Sequence, residues 1–140
     1  MNLQLITLLG VRLDSEVYEL LIPTAAGEIG VFPGHEPLVT TAIPGAITVR
    51  FHKGDADDKL EYFAISGGVV EVSQKAVRVL VDEADHGDDI IEAESQAALE
   101  RAIKLRDSTT DQVELAKARE LVDRHSVRLK VAELRRRKRR

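Results

Sequence analysis

The sequence contains no cysteine and no tryptophan, and only 4% of its 140 residues are aromatic. Without cysteine the chain has no disulfide, zinc–thiolate site or thiol nucleophile, which suits a reducing compartment. Its core must be built from aliphatic side chains. No apolar run approaches the ~18 residues that a membrane-spanning helix needs, and the apolar start at residues 3–6 lacks the basic region of a signal peptide. We therefore expect a soluble, unprocessed chain of one domain, or one domain with an appendage.

Common catalytic motifs are also missing. There is no Walker lysine loop, no Gly-x-Gly-x-x-Gly phosphate loop and no Gly-x-Ser-x-Gly nucleophile elbow. Ser66 precedes two glycines in an expected tight turn, and acid pairs such as Asp57-Asp58 lie in polar segments where carboxylates are usually solvated. The histidines lack the paired spacing of metal ligands: His35, His52, His86 and His125. We predict no enzyme activity, no cofactor and no metal site.

Apolar and polar residues alternate from Met1 to about Ala84, the period of strands with one buried face. Turn signals such as Pro44-Gly45 and Gly67-Gly68 recur about every ten residues, with no helical stretch between them. The alternating positions are Leu3, Leu5, Leu9, Val11, Leu13, Ile47, Val49, Phe51, Val77, Val79 and Val81. This pattern predicts a small antiparallel β-sandwich or barrel rather than a βαβ fold.

The composition changes near residue 85, because residues 82–100 hold eight acidic residues and no lysine or arginine. We place a domain boundary here, with a β-sandwich domain over 1–86 and a helical domain over 87–140. Asp88 or Asp89 is expected to cap the first helix, whose N-terminus favours carboxylates. The predicted buried stripe of this helix has heptad spacing and small residues: Ile91, Ser95, Ala98, Ala102 and Leu105.

A polar segment over 106–111 rich in cap-forming residues should end this helix and start a second one. The second stripe comprises Leu115, Ala118, Val122, His125, Leu129 and Ala132. Two stripes of matching length joined by a short loop predict an antiparallel helical hairpin, which makes the fold class α+β. Since small seam residues bury little area, the hairpin should be marginal alone and dock on the sandwich, on a partner, or on each at different times.

Charge is distributed unevenly along the chain. Residues 111–140 carry 11 Lys and Arg against five Asp and Glu, a net +6, whereas residues 1–110 carry nine against 19, a net −10. The C-terminal part should therefore meet an acidic partner, while the body repels nucleic acid and anionic lipid. The basic run Arg135 to Arg140 is either a solvated tail or a contact.

Residues 27–38 form the most unusual stretch, with three glycines and two prolines that restrict its backbone. Phe32 and Val31 can anchor one side, while Glu28, His35 and Glu36 point outward. The residues alone leave two interpretations open. The stretch is a rigid loop between strands, or it presents a preformed polar knob to another protein.

The segment Gly27-Glu28-Ile29-Gly30-Val31-Phe32-Pro33-Gly34-His35 resembles the signature of the epsilon subunit of bacterial rotary ATP synthases. Further matches are Pro44-Gly45, the stretch Ile65 to Val72, Val79 to Ala84, and the helix ending in Leu129 to Leu134. The resemblance covers nearly the whole chain. It implies a β-sandwich of about ten strands with a C-terminal helical hairpin, in a subunit that does not itself catalyse.

The resemblance also implies partners and a location. The subunit would sit in the central stalk at the cytoplasmic face of the plasma membrane, peripheral and without inserting into it. The knob would contact the polar loops of the c-ring through Glu28, Gly34 and His35, and the neighbouring sandwich flank would contact the gamma subunit. No nucleic acid is implied as a partner.

For the hairpin, the resemblance implies a brake on ATP hydrolysis, in which the extended second helix meets an acidic segment of a catalytic beta subunit. The residues that would make this contact are Lys117, Arg119, Arg124, Arg128 and Lys130. Some relatives bind ATP at the hairpin start, but here Ile91 and Glu94 replace the expected Asp and Arg, so we predict no nucleotide site by that motif. The alternative function is a stand-alone β-sandwich module whose basic tail recruits an acidic protein or nucleic acid.

Overall fold

Alternating aliphatic residues produce ten strands in the part of the chain that the structure, a computed structural model, describes, residues 1–138. The strands are β1 Asn2–Thr7, β2 Gly10–Glu16, β3 Glu19–Thr24, β4 Gly27–Val31, β5 Leu38–Ala42, β6 Gly45–Arg50, β7 Glu61–Ile65, β8 Gly68–Val72, β9 Ala76–Val81 and β10 Ala84–His86. Two helices follow, α1 Glu92–Ser108 and α2 Gln112–Lys138. Arg139 and Arg140, the end of the basic run, lie outside the described residues.

One sheet wraps into two layers through the shared strand β3. The strand order is β10-β7-β6-β3-β5-β8-β9-β1-β2, with β4 also on β3. Strand pairs are antiparallel apart from β1 with β9, which run parallel. The space between the layers is filled by aliphatic side chains and Phe63. The prediction of a β-sandwich followed by two helices is confirmed.

The first hairpin departs from the predicted alternation. Leu3 and Leu5 are buried as expected, but Leu9 is 94% exposed and Val11 59% exposed. Leu9 was wrongly assigned to a strand, since it lies in the turn between β1 and β2. Val11 is exposed because of a bulge in the β1–β2 pairing: Leu13 lies opposite Leu5, whereas Val11 lies opposite Ile6. An extra residue in one strand turns the following side chains to the other face of the sheet, so the prediction of a buried Val11 is wrong.

The helix start also differs from the prediction. Asp88 and Asp89 lie in a 3₁₀ turn over residues 87–89, and α1 begins at Glu92 after Ile91, without a side-chain cap. The chain extends at Ile90 between the turn and the helix because that side chain packs beneath α2. At the other end of the hairpin, Asp111 Oδ1 accepts the Val113 N–H at 2.8 Å, so the expected cap-forming loop does start α2.

The helical stripes are confirmed in part. Ser95 and Ala102 of α1 are buried, but Ile91 is 57% exposed and Leu105 39% exposed, so both were wrongly assigned to the seam. On α2, Ala118 and Ala132 are buried, and the remaining predicted positions, Leu115, Val122, His125 and Leu129, are half-buried.

Helix α2 also buries Val131, which lies outside the predicted heptad stripe. Val131 is fully buried and packs with Ala132 on Ala64 of β7 and on Ile90. The hairpin is therefore docked on the sandwich in this structure. Docking brings α2 so close to Gly87 that a Cβ there would lie 3.3 Å from a Val131 methyl group.

Candidate functional site

The β3–β4 turn presents Glu28 to solvent. Gly27 has a φ of +113°, in the left-handed region that glycine adopts without strain. The buried Thr24 hydroxyl donates to the Gly27 carbonyl oxygen at 2.5 Å and accepts the Ala26 N–H at 3.3 Å. The turn is thus held from within. Glu28 is exposed on β4 and makes no ion pair within residues 1–138.

The loop after β4 is anchored by an aromatic contact and by backbone bonds. Phe32 packs edge-on against Tyr18, with ring centroids 5.8 Å apart. Gly34, whose φ is +83°, donates its N–H to the Gln74 carbonyl at 3.1 Å, and His35 N–H bonds the Phe32 carbonyl at 3.2 Å. Gly34 is exposed and His35 half-buried, so both reach the surface of a braced loop.

Strand β4 separates the two parts of the predicted knob. Glu28 lies at the start of this strand, whereas Gly34 and His35 follow its end. At ~3.3 Å per residue, the Cα atoms of Glu28 and Val31 are about 10 Å apart along the strand. The knob is therefore an extended surface along β4 rather than one cluster of side chains.

The outer face of the β2-β1-β9-β8-β5 layer carries an apolar row that sequence reasoning missed. Cross-strand partners place one side chain from each strand side by side: Val11, Ile6, Leu80, Val69 and Thr41. Val69 is 42% exposed, and Val39 on the same face is 72% exposed. Exposed apolar side chains gathered on one face typically mark a protein-binding surface. Alternation predicts which residues of a strand face the core, but it does not predict which outward-facing apolar residues of neighbouring strands lie side by side.

A groove of about 860 Å³ lies next to this row, between the tip of the β1–β2 hairpin and α2. Leu8 and Leu9 form its apolar wall and are 82% and 94% exposed. Glu120, Asp123 and Arg124 of α2 form the opposite wall. The docked helix thus contributes one side of a cleft whose other side carries Leu8 and Leu9 together with charged residues such as Arg12 and Asp82.

The five predicted basic contact residues of α2 fall into two groups. Lys117, Arg119 and Lys130 are exposed and make no ion pair within residues 1–138. The other two are held by the sandwich domain: Arg124 pairs with Glu83, and Arg128 Nε lies 3.3 Å from Asp85 Oδ2. The structure therefore leaves only three of the five available while the hairpin is docked.

His125 lies in the hairpin seam. Its Nδ1 atom is buried and has no hydrogen-bond partner among the described residues. Burial lowers the pKa of His125 from 6.5, and the neighbouring Arg128, Arg124 and Arg101 lower it further, while Glu83 opposes them. The docked hairpin thus favours the neutral imidazole.

Neither a metal centre nor a membrane span is evident in the described chain. Residues 1–138 contain no group of three or more His, Cys, Asp or Glu placed to hold a metal ion. Neither of the two helices over these residues combines the length and the hydropathy needed to cross a bilayer.

The described residues define a β-sandwich protein with a docked helical hairpin, which presents an exposed turn, an apolar outer face and a cationic helix. Residues 1–87 match the family described as ATP synthase, Delta/Epsilon chain, beta-sandwich domain. The chain belongs to this family of ATP synthase delta and epsilon chains, and the resemblance inferred from the knob sequence is confirmed.

Relatives extend the match through the helices. The ATP synthase epsilon chain of Herpetosiphon aurantiacus is 38% identical over 138 residues, covering 96% of both chains. That of Laribacter hongkongensis is 35% identical over 133 residues, covering 91% of this chain and 93% of the relative. Among solved structures, a chain of the Euglena gracilis mitochondrial ATP synthase, OSCP/F1/c-ring, superposes with a TM-score of 0.78 at 27% identity, over 94% of this chain and 79% of that one.

Proposed function

We propose that this chain is a non-catalytic central-stalk subunit that links the gamma subunit to the c-ring of a rotary ATP synthase and restrains ATP hydrolysis through its helices. The observation that carries the proposal is the match to epsilon chains over both the sandwich and the hairpin. The solved relative, part of an assembly with F1 and the c-ring, supports it. Binding to such an assembly would hold the chain at the cytoplasmic face of the plasma membrane.

The apolar row on the outer sheet face is the proposed gamma contact. Its strands are hydrogen-bonded to neighbours on both sides except at the edges, so a partner would bind through side chains rather than by adding a strand. Val69→Asp places a charge in the middle of this face and should abolish co-purification with the gamma subunit. Ala25→Asp adds the same charge at the exposed β3–β4 turn and is the control. Equal recovery of gamma with both variants would contradict the assignment.

The surface along β4 is the proposed c-ring contact, through Glu28, Gly34 and His35. The turn and the loop are held rigidly by hydrogen bonds and by the Phe32–Tyr18 contact, which lowers the entropic cost of binding and favours this assignment. Because the chain has no natural cysteine, Glu28→Cys and His35→Cys give single thiols for cross-linking to the c-ring loops in the assembled complex. Gln96→Cys, exposed on α1, is the control. Absence of a c-ring adduct from both knob positions would exclude this contact.

The cationic side of α2 is the proposed brake on the catalytic beta subunit. The exposed Lys117, Arg119 and Lys130 are available for charge-assisted hydrogen bonds to its acidic segment, and Arg124 and Arg128 become available once the hairpin leaves the sandwich. Deletion of residues 111–140 should raise ATP hydrolysis by the assembled enzyme. Unchanged hydrolysis would disprove the brake.

No nucleotide is proposed at the hairpin start. The groove of about 390 Å³ at this place is lined by Asp89 and Glu94 and also by Arg101 and Arg128. The expectation therefore rests on the motif, in which a carboxylate, Glu94, stands where a guanidinium would meet phosphate. Isothermal titration of the isolated chain with ATP should therefore show no micromolar binding. A measured micromolar dissociation constant would contradict this expectation.

A further inference from the structure

Three arginines of α2 form ion pairs with three carboxylates in the segment that joins the sandwich to the hairpin. We call these contacts the arginine latch. It consists of Arg124 with Glu83, Arg128 Nε with Asp85 Oδ2 at 3.3 Å, and Arg135 Nε with Asp88 Oδ1 at 2.5 Å.

The latch crosses the boundary at which the hairpin would separate from the sandwich. Glu83 follows β9, Asp85 lies in β10 and Asp88 in the turn after it, so all three acids precede α1 and would stay behind if the helices moved away. The partners of each pair are partly exposed, between 25% and 52% for Arg128, Asp85, Arg135 and Asp88. Such pairs are individually weak and are screened by salt, which makes them easy to exchange.

Apolar packing holds the same face of α2. Val131 is fully buried against the sandwich and is flanked in sequence by latch arginines on both sides. The docked state therefore depends on a small apolar contact plus the latch, and a modest change in the ion pairs alters the docked population.

We propose that Glu83, Asp85 and Asp88 compete with the partner's acidic segment for the arginines of α2. The inference rests on the brake proposed above. An α2 that moves away to reach the partner carries Arg124 and Arg128 away from Glu83 and Asp85, so both intramolecular pairs are lost in the braking state. Undocking exchanges one set of arginine–carboxylate pairs for another, so new pairs at the partner offset part of the cost of breaking the latch. The strength of the latch then sets the fraction of molecules whose helices are undocked and can inhibit ATP hydrolysis.

Undocking of the isolated full-length chain tests the latch directly. Val131→Cys introduces a single thiol that is buried only while α2 is docked, so its rate of labelling by a thiol reagent reports the undocked fraction. Adding Glu83→Gln and Asp85→Asn removes two pairs and leaves every charge of α2 in place. We expect labelling to accelerate about two- to thirtyfold, the range for two partly exposed pairs.

Two controls separate undocking from other effects. Lys117→Gln with Lys130→Gln removes two exposed, unpaired charges from α2 and should leave the labelling rate unchanged. Val79→Cys, buried inside the sandwich, reports global unfolding and should be labelled equally slowly with and without the latch substitutions. Unchanged labelling at Val131→Cys in the latch variant would overturn the proposal.

ATP hydrolysis by the assembled enzyme tests the competition. The Glu83→Gln, Asp85→Asn chain should inhibit hydrolysis more strongly than the natural chain, because more of its helices are released to the partner. If deletion of 111–140 raises hydrolysis but the latch variant does not lower it, the latch proposal fails while the brake stands. If the deletion itself has no effect, the brake proposal fails.

Discussion

Replacing Gly68 by alanine should disrupt the sandwich, because the backbone of the neighbouring strand occupies the space. A Cβ at Gly68 would lie 1.9 Å from the Leu80 carbonyl oxygen and 2.9 Å from Val81 Cα, whereas ordinary contact begins at 3.4 Å. These are backbone atoms, so no rotamer change relieves the overlap. β8 and β9 must separate at their Gly68–Val81 end.

The cost follows from the contacts that this separation breaks. Moving the strands apart to ordinary contact distance removes two or three ladder hydrogen bonds, each contributing about 1 kcal/mol. The displaced strand also disturbs the packing of the buried Val79 and Val81, and inserting a methyl group into a packed core costs about 1–3 kcal/mol. We expect a loss of about 3–6 kcal/mol, a large part of the roughly 5–15 kcal/mol that stabilises a natural domain.

Gly67→Ala is the matched control at the preceding residue. Its Cβ would meet only the Ala42 carbonyl oxygen at 3.4 Å and Pro44 Cδ at 3.9 Å, so it should cost less than about 1 kcal/mol. Urea and thermal unfolding followed by circular dichroism compare the two variants. Gly68→Ala should unfold at least about 10 °C lower than the natural chain. Equal midpoints for the two alanine variants would refute the steric reasoning.

Three further predictions concern the hairpin and a loop. Burial, and then the adjacent arginines, lower the pKa of His125, so the folded hairpin loses stability as the pH falls below 6.5. Between pH of about 7.5 and about 5.5, the melting midpoint of His125→Gln should therefore fall less than that of the natural chain. Gly87→Ala places a Cβ 3.3 Å from a Val131 methyl group and should speed the labelling of the Val131→Cys thiol at the docking face. Unchanged slow labelling of Val79→Cys is the control for an intact sandwich. Arg50 bonds Glu19 at 3.1 Å and Asp57 at 2.8 Å, so Arg50→Met should speed amide hydrogen exchange in residues 52–59; unchanged exchange would contradict its bracing role.

Much of the sandwich is predictable because a strand with one buried face leaves a two-residue period. Leu3, Leu5, Val77 and Val79 are fully buried, as that period predicts. The wrong predictions for strand residues arise where strand pairing interrupts this period. The bulge after Leu5 reverses the face of Val11, a change that depends on pairing with β1 rather than on the sequence of β2 alone.

The candidate surfaces were predictable to different degrees. Of the three side chains predicted to point outward, Glu28 and Glu36 are exposed and His35 is half-buried. The apolar row was not predicted, because it depends on the register of five strands. The pairing of Arg124 and Arg128 was not predicted either, since the charge asymmetry identifies an attraction to acids without showing that the nearest acids belong to the same chain.

The strands, the two helices and the cationic character of α2 can be predicted from the sequence, because each of these depends on local composition and period. Only the packing in three dimensions settles which side chains meet: Val11 lies outside, Val131 of α2 packs against the sandwich, and Arg124 pairs with Glu83. The physical reason is that long-range contacts depend on register, bulges and the angle at which the hairpin returns to the sheet. Those quantities are set by packing of the whole chain.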